Sequence, residues 1–155
     1  MATNAAPVYG KQYIRYAETW EAAVDTEAGG VGLVEIGELR CVSYATWAGP
    51  GVAAAPDAFV APGGVTTIVG VNQAYMPTAL AQPYTARQLT VARSGLLLVE
   101  VDPASAVIGL NTQLQINAAG QATAAGTPVT MDGTTPIVQE NVNIGGRRLA
   151  MVSFA

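Results

Sequence analysis

Short segments with a period of two, separated by Gly, Pro and Asn, run from Val31 to the end of the chain. In segment 65–72, alternate positions carry Val, Thr, Val and Val, and segment 85–93 repeats this alternation. A period of two places alternate side chains on opposite faces of a β-strand. Many such short segments at this spacing are typical of a sandwich or barrel. We therefore predict an all-β fold, a small β-sandwich or barrel of jelly-roll-like form.

Turn-forming residues mark the ends of the predicted strands. The clearest is Asn117-Ala118-Ala119-Gly120, where glycine suits the left-handed position after a type I turn. Gly145-Gly146 indicates a second turn near the end of the chain. The predicted strands are 31–36, 38–44, 65–72, 85–93, 96–101, 110–116, 121–123, 127–132, 136–143 and 147–154.

The first 28 residues differ from the rest of the chain. Tyr9, Tyr13, Tyr16 and Trp20 follow one another at spacings of four, three and four, which fit one face of a helix. The β-favouring aromatics fit equally well an extended arm that becomes ordered on a partner. We predict an extended or partly helical N-terminal arm over 1–28, a glycine-rich joint, and a single β domain over 29–155.

Two stretches, 46–64 and 73–84, read as long loops because prolines and alanines interrupt any strand pattern. Loops of more than about 12 to 15 residues are usually functional or disordered. Both contain side chains of the kind that dock onto partners: Trp47, Phe59, Tyr75, Met76 and Tyr84. We predict that these residues, with the four aromatics of the arm, contact a partner; a lid over the chain's own core is the alternative.

Composition narrows the classes of function. The 155 residues carry 7 Lys+Arg and 11 Asp+Glu, a net charge of −4, and nucleic-acid affinity needs clustered basic residues. The run Leu96-Leu97-Leu98-Val99 is far shorter than the roughly 18 apolar residues of a membrane helix. We therefore predict neither a nucleic-acid nor a membrane partner.

Catalytic signatures are also missing from the sequence. Without histidine, the chain lacks the side chain whose ordinary pKa suits proton transfer near neutrality, and no serine lies in a Gly-x-Ser-x-Gly motif. Cys41 lies in an alternating apolar segment and reads as a small buried hydrophobe. We predict that the protein is not an enzyme and binds no cofactor or metal.

Two predicted strands are apolar on both faces. Leu97 and Val99 suit the core, yet Leu96 and Leu98 on the opposite face are also apolar, and Leu149 and Met151 repeat this pattern in 147–154. A sandwich strand normally exposes one face to water. The second face therefore predicts a homo-oligomer interface at Leu96, Leu98, Leu149 and Met151; a long loop folding over it is the alternative.

The order of features in 84–132 resembles the head decoration, or structural cement, proteins of tailed bacteriophages. The resemblance is carried by 84–91, then Arg93-Ser94-Gly95 with the apolar strand 96–99, then Val107-Ile108-Gly109-Leu110, then the turn at 117–123. It covers 29–155, and the arm and the 46–64 loop depart from shorter members of the family.

The resemblance implies a structural virion protein. Such a protein binds the assembled major capsid protein lattice, cements neighbouring capsomers and stabilises the phage head, as a homo-oligomer with a trimer favoured. Its expected location is the virion, in heads assembled in the host cytoplasm. The alternative is a glycan- or ligand-binding module in which Trp20 and Trp47 stack on sugar rings.

Overall fold

The computed structural model describes residues 12–22, 38–47, 55–62, 66–73 and 88–154. These residues contain strands and turns and no helix, which confirms the all-β fold. The strands are β1 (Tyr13–Ala22), β2 (Cys41–Trp47), β3 (Ala55–Pro62), β4 (Gly70–Asn72), β5 (Gln88–Glu100), β6 (Gln115–Ile116), β7 (Thr127–Pro128), β8 (Ile137–Ile144) and β9 (Arg147–Phe154).

Seven of these strands form one sheet in the order β1-β3-β2-β4-β5-β9-β8, and β6 and β7 form a separate pair. Strand β1 pairs with both β3 and β5, so five strands form a closed circuit. The β1–β3 pairing is parallel and the other pairings in this sheet are antiparallel. Strands β9 and β8 continue the sheet from the second half of β5.

The main core lies between this sheet and the segment 101–136. Leu97 and Val99 of β5 and Val152 and Phe154 of β9 project to one face, as their alternation predicts. The covering segment contributes buried apolar side chains to the same cluster: Ile108, Leu114, Ile116, Ala122, Val129 and Met131. The molecule is therefore sandwich-like, with a largely irregular second layer.

A smaller core covers the second face of the same two strands and corrects two predicted interface residues. Leu98 and Leu149 are buried against Leu39, and Met151 is partly buried beside them. The backbone of Leu39 is held in place because its N–H donates to Asn72 O (2.7 Å) and its carbonyl accepts from Glu100 N (2.7 Å). The chain itself thus buries Leu98 and Leu149, and they are not available to a subunit interface.

The two predicted turns are confirmed. Asn117 N donates to Gln121 O (2.9 Å), and the Asn117 side-chain oxygen accepts from the backbone of Ala119 and Gln121. Gly120 has a φ of 80°, the left-handed conformation that the turn requires. The Gly145-Gly146 pair joins β8 to β9.

The segment 46–64, predicted to be a loop, contains strand β3 in the structure. This strand pairs with β2 in an antiparallel manner from Val42↔Pro62 to Trp47↔Ala55. Its prolines, Pro56 and Pro62, lie near its two ends, where a missing N–H disrupts the ladder least. The predicted 73–84 loop, apart from its first residue, and the predicted strand 31–36 lie outside the described residues.

The N-terminal segment is also corrected in part. Residues Tyr13–Ala22 are extended, as one of the two predicted alternatives has it, and are not helical; they form strand β1, which pairs within the sheet with β5 from Tyr13↔Leu96 to Glu21↔Gln88. Main-chain pairing with a strand about 75 residues away overrides the helical spacing of the aromatics. The domain boundary between 28 and 29 lies outside the described residues and stays a prediction.

Candidate functional site

Four exposed apolar residues lie where β1 crosses the middle of β5. They are Tyr13, Ile14, Tyr16 and Leu96, of which Tyr13 and Tyr16 are 61% and 54% exposed. Tyr13 is directly opposite Leu96 in the β1–β5 ladder, so the two side chains are cross-strand neighbours. We call these four residues the β1 patch.

Gly95 allows β1 to approach β5 closely beneath this patch. Its φ is 120°, and a Cβ at this position would overlap the Tyr13 carbonyl oxygen and lie 2.9 Å from the Arg15 amide nitrogen. Only glycine has both the required backbone freedom and the missing side chain. The β1–β5 register is irregular between Ile14 and Ala17, as is common where a strand bends.

Arg93 anchors the far side of β1. Its Nε donates to Val69 O (2.9 Å), one terminal nitrogen lies 3.0 Å from Glu18 Oε1, and the other lies 2.7 Å from Asp132 Oδ2. Its guanidinium carbon is 5.9 Å from the centre of the Trp20 ring, within the range of a cation–π contact. One side chain therefore joins β1, the segment before β4 and the turn at 131–134.

This arrangement changes the acidity of two residues on β1. Burial opposes ionisation of Glu18, but hydrogen bonds from Arg93 and Tyr16, with the charge of Arg93, outweigh it and lower the pKa of Glu18. The hydrogen bond from the Tyr16 hydroxyl to Glu18, with the charge of that carboxylate, raises the pKa of Tyr16. Glu18 is thus held as a carboxylate paired with Arg93, which links β1 to β5.

A second ion-pair network lies beside the Leu39 core. Arg147 contacts Glu38 Oε1 (3.0 Å) and Glu100 Oε1 (2.9 Å), Arg40 lies 3.2 Å from Glu100 Oε2, and Gln121 Nε2 donates to the same oxygen (2.7 Å). Burial disfavours the charge of Glu100, but the hydrogen bonds from Gln121 and Arg147 and the two guanidinium charges lower its pKa overall. Sequence reasoning missed this network, because its members lie far apart along the chain.

The predicted contact residues fall into four groups. Tyr13 and Tyr16 are exposed, whereas Trp20 is only 8% exposed and lies under Arg93. The predicted role of Trp20 therefore changes: the side chain is buried in the chain's own fold, where it anchors β1, and it is not a surface contact. Trp47 and Phe59 lie in β2 and β3. Tyr9, Tyr75, Met76 and Tyr84 lie outside the described residues.

Leu96 remains available as an interface residue, since it is exposed on the β1 patch. Sequence reasoning did not single out two further exposed apolar residues, Val107 and Leu110, which are 78% and 53% exposed. The sequence does indicate an exposed position for them, because both lie in a short apolar run, 107–110, between turn-forming residues.

Among the described residues, no three His, Cys, Asp or Glu side chains are grouped so that they could hold a metal ion. Nor does this part of the chain contain a helix long and apolar enough to cross a membrane. Cys41 is buried, as predicted, and burial raises its pKa to about 12, so that its thiol stays protonated at neutral pH.

No protein-family model, curated protein or solved structure matches the chain.

Proposed function

We propose that the protein is a structural virion protein that binds the assembled major capsid protein lattice of a tailed-phage head. It cements neighbouring capsomers and acts without catalysis. The β1 patch is the surface that touches the capsid. The observation that carries this proposal is the exposure of Tyr13, Ile14, Tyr16 and Leu96 together on adjoining strands.

Tyr13 and Leu96 are exposed neighbours across the β1–β5 ladder. Contiguous exposed apolar side chains are a feature of interaction sites, and tyrosine is enriched in them. Electrostatic docking is less well supported, because three of the described arginines, Arg40, Arg93 and Arg147, form ion pairs within the chain. Attachment at this patch would rest mainly on apolar burial. Many copies on one lattice would then bind by avidity even if each contact were weak.

Self-association is part of the same proposal. We propose a homo-oligomer, with a trimer favoured by the family resemblance, and Leu96 as the interface residue that the fold leaves exposed. Light scattering on the isolated chain is the measurement, and Leu96→Asp is expected to shift the equilibrium towards monomer. A monodisperse monomer near 15.8 kDa would defeat the oligomer but not the capsid proposal.

The main test is co-sedimentation with phage heads assembled without this protein. The double variant Tyr13→Ser/Tyr16→Ser, which leaves the proposed subunit-interface residue Leu96 unchanged, is expected to lose at least about tenfold in affinity, since central aromatic contacts commonly dominate an interface. The matched control, Val107→Ser/Leu110→Ser, removes two exposed apolar residues outside the patch and should bind as wild type does. If wild type does not bind heads, the function is wrong; if the patch variant binds fully, the surface is wrong.

The glycan-binding alternative retains one supporting feature. Tyr16 is an exposed aromatic beside the carboxylate of Glu18, and such pairs occur where sugars are bound. The buried position of Trp20 removes one of the two tryptophans expected to stack on a sugar. Binding to a glycan array that is lost in Tyr16→Ser would favour this alternative over capsid binding.

A further inference from the structure

A small pocket lies between the 102–108 segment and the β8–β9 hairpin. Its volume is about 150 Å³, and it is lined by Val101, Val107, Asn141, Val142, Asn143, Arg148 and Leu149. Cofactors and drug-sized ligands occupy pockets of about 300 to 1,000 Å³. This pocket is smaller, opens to solvent, and is lined by two asparagines and an arginine as well as by apolar residues. It therefore has room for one small side chain, such as that of valine.

Hydrogen bonds hold the pocket open. Asn141 Nδ2 donates to Ile108 O (2.9 Å), and Arg148 donates to Ser105 O (2.8 Å) and Ala106 O (3.3 Å). These contacts attach the 105–108 backbone to the β8–β9 ladder on both sides of the pocket. An occupant would enter a preformed site and would not have to order the loop, which favours binding.

The pocket also carries a positive charge that the described residues do not neutralise. Arg148 contacts carbonyl oxygens of 102–106, and none of the described carboxylates lies within 4.0 Å of its guanidinium nitrogens. Glu140 also lies in strand β8, directly before Asn141, and is opposite Met151 in the β8–β9 ladder. Because Met151 packs on the Leu39 core, the Glu140 side chain projects from the other face of the hairpin. Complementarity therefore favours a carboxylate in the occupant.

Strand β8 offers a backbone edge beside the pocket. At its start this edge is used, because Val138 N donates to Thr112 O (2.9 Å) and Asn111 N donates to Val138 O (2.8 Å). From 140 to 144, no backbone group of the described residues bonds to this outer edge. From 141 to 144 the segment also contains no Pro or charged residue, the types that commonly block edge pairing. An extended peptide can add to such an edge.

We propose that the β8 edge and the adjoining pocket bind an extended acidic segment of another protein. One apolar side chain fills the pocket, main-chain hydrogen bonds form to 140–144, and a carboxylate lies beside Arg148. Side chains two residues apart share a face of an added strand, so the motif is an apolar residue and an acidic residue separated by one position. This inference does not depend on the proposed function.

The probe is a fluorescein-labelled octapeptide with valine and glutamate alternating on one face and threonine on the other. Two matched peptides replace every glutamate with lysine or every valine with serine. Fluorescence anisotropy with the full chain should give a Kd below about 1 mM for the Val/Glu peptide, and at least about tenfold weaker binding for both controls, because each lacks one of the two recognition elements.

Two protein variants locate the binding. Val107→Asp places a negative charge at the pocket and should weaken the Val/Glu peptide by about tenfold, while Leu110→Asp, a neighbouring exposed residue that does not line the pocket, should change it by less than about twofold. Both side chains are exposed, so neither change should disturb the fold. Hydrogen exchange should show new protection, in the peptide complex, of those 140–144 amides that point away from β9.

Several results would overturn the proposal. These are the absence of binding at 1 mM peptide, equal binding of the lysine peptide, equal effects of the two variants, and protection elsewhere than 140–144. Light scattering provides one further result that would overturn the proposal. If the wild type dimerises without peptide and Val107→Asp dissociates the dimer, the occupant of the pocket is a second copy of this chain and not an acidic segment of another protein.

Discussion

Replacing Gly95 by alanine tests whether β1 is held against β5. The new Cβ would overlap the Tyr13 carbonyl oxygen and lie 2.9 Å from the Arg15 nitrogen, and φ would remain at 120°. The backbone strain costs about 1 to 3 kcal/mol, and forcing a methyl group into a filled space costs about 1 to 3 kcal/mol more. The expected loss is about 2 to 6 kcal/mol, or at least about 4 °C in Tm for a chain of this size.

Gly133→Ala is the matched control for Gly95→Ala. Gly133 also has a positive φ, 77°, but no atom lies within 4 Å of the position of an added Cβ, so this variant measures backbone strain without a clash. In urea unfolding followed by circular dichroism, the free energies of the two variants should differ by the cost of the clash, about 1 to 3 kcal/mol. Equal losses would refute the reasoning, because β1 would then move away from β5 without cost.

Three further predictions concern the cores and the buried charges. Leu39→Ala should cost about 2 to 5 kcal/mol because it opens a cavity over the second core, whereas Leu96→Ala at the surface should cost under about 0.5 kcal/mol in the same denaturation assay. The pKa of Glu100 is lower in the fold than its ordinary value of 4.5, so its stabilisation is present above that pH and is lost as the pH falls through the folded pKa. In Glu100→Gln the free energy of unfolding should therefore fall less steeply with pH below about 4.5 than it does in wild type, and equal slopes would contradict this. The Cys41 thiol should react with Ellman's reagent at pH 8 only as fast as the protein opens, because burial raises its pKa to about 12; rapid labelling of the native protein would show that it is accessible.

Local sequence accounts for the features that depend on neighbouring residues. The Asn117–Gly120 turn follows from an amide that bonds its own backbone and a glycine that adopts φ 80° without strain. The alternation in β5 and β9 correctly identified the side chains that enter the main core, because the two faces of a strand follow directly from a period of two. Such features need no knowledge of distant partners.

Alternation could not determine what covers the other face of those strands. An apolar second face is equally compatible with a subunit interface and with burial inside one chain, and the sequence left both readings open. Leu39 settles the question for Leu98 and Leu149, because its backbone is held by Asn72 and Glu100. These hydrogen-bond partners lie about 30 and 60 residues away, beyond the reach of any local pattern.

The candidate site divides in the same way. That Tyr13, Tyr16 and Trp20 matter was predictable from an aromatic-rich segment with few charges, but their different roles were not. In β1, Trp20 is buried under Arg93 while Tyr13 and Tyr16 face outward. The segment's own spacing fits a helix as well as a strand; pairing with β5, anchored by Arg93 and permitted by Gly95, makes it a strand. Contacts between residues some 75 positions apart therefore decided which aromatics became surface, since burial depends on tertiary neighbours rather than on residue type.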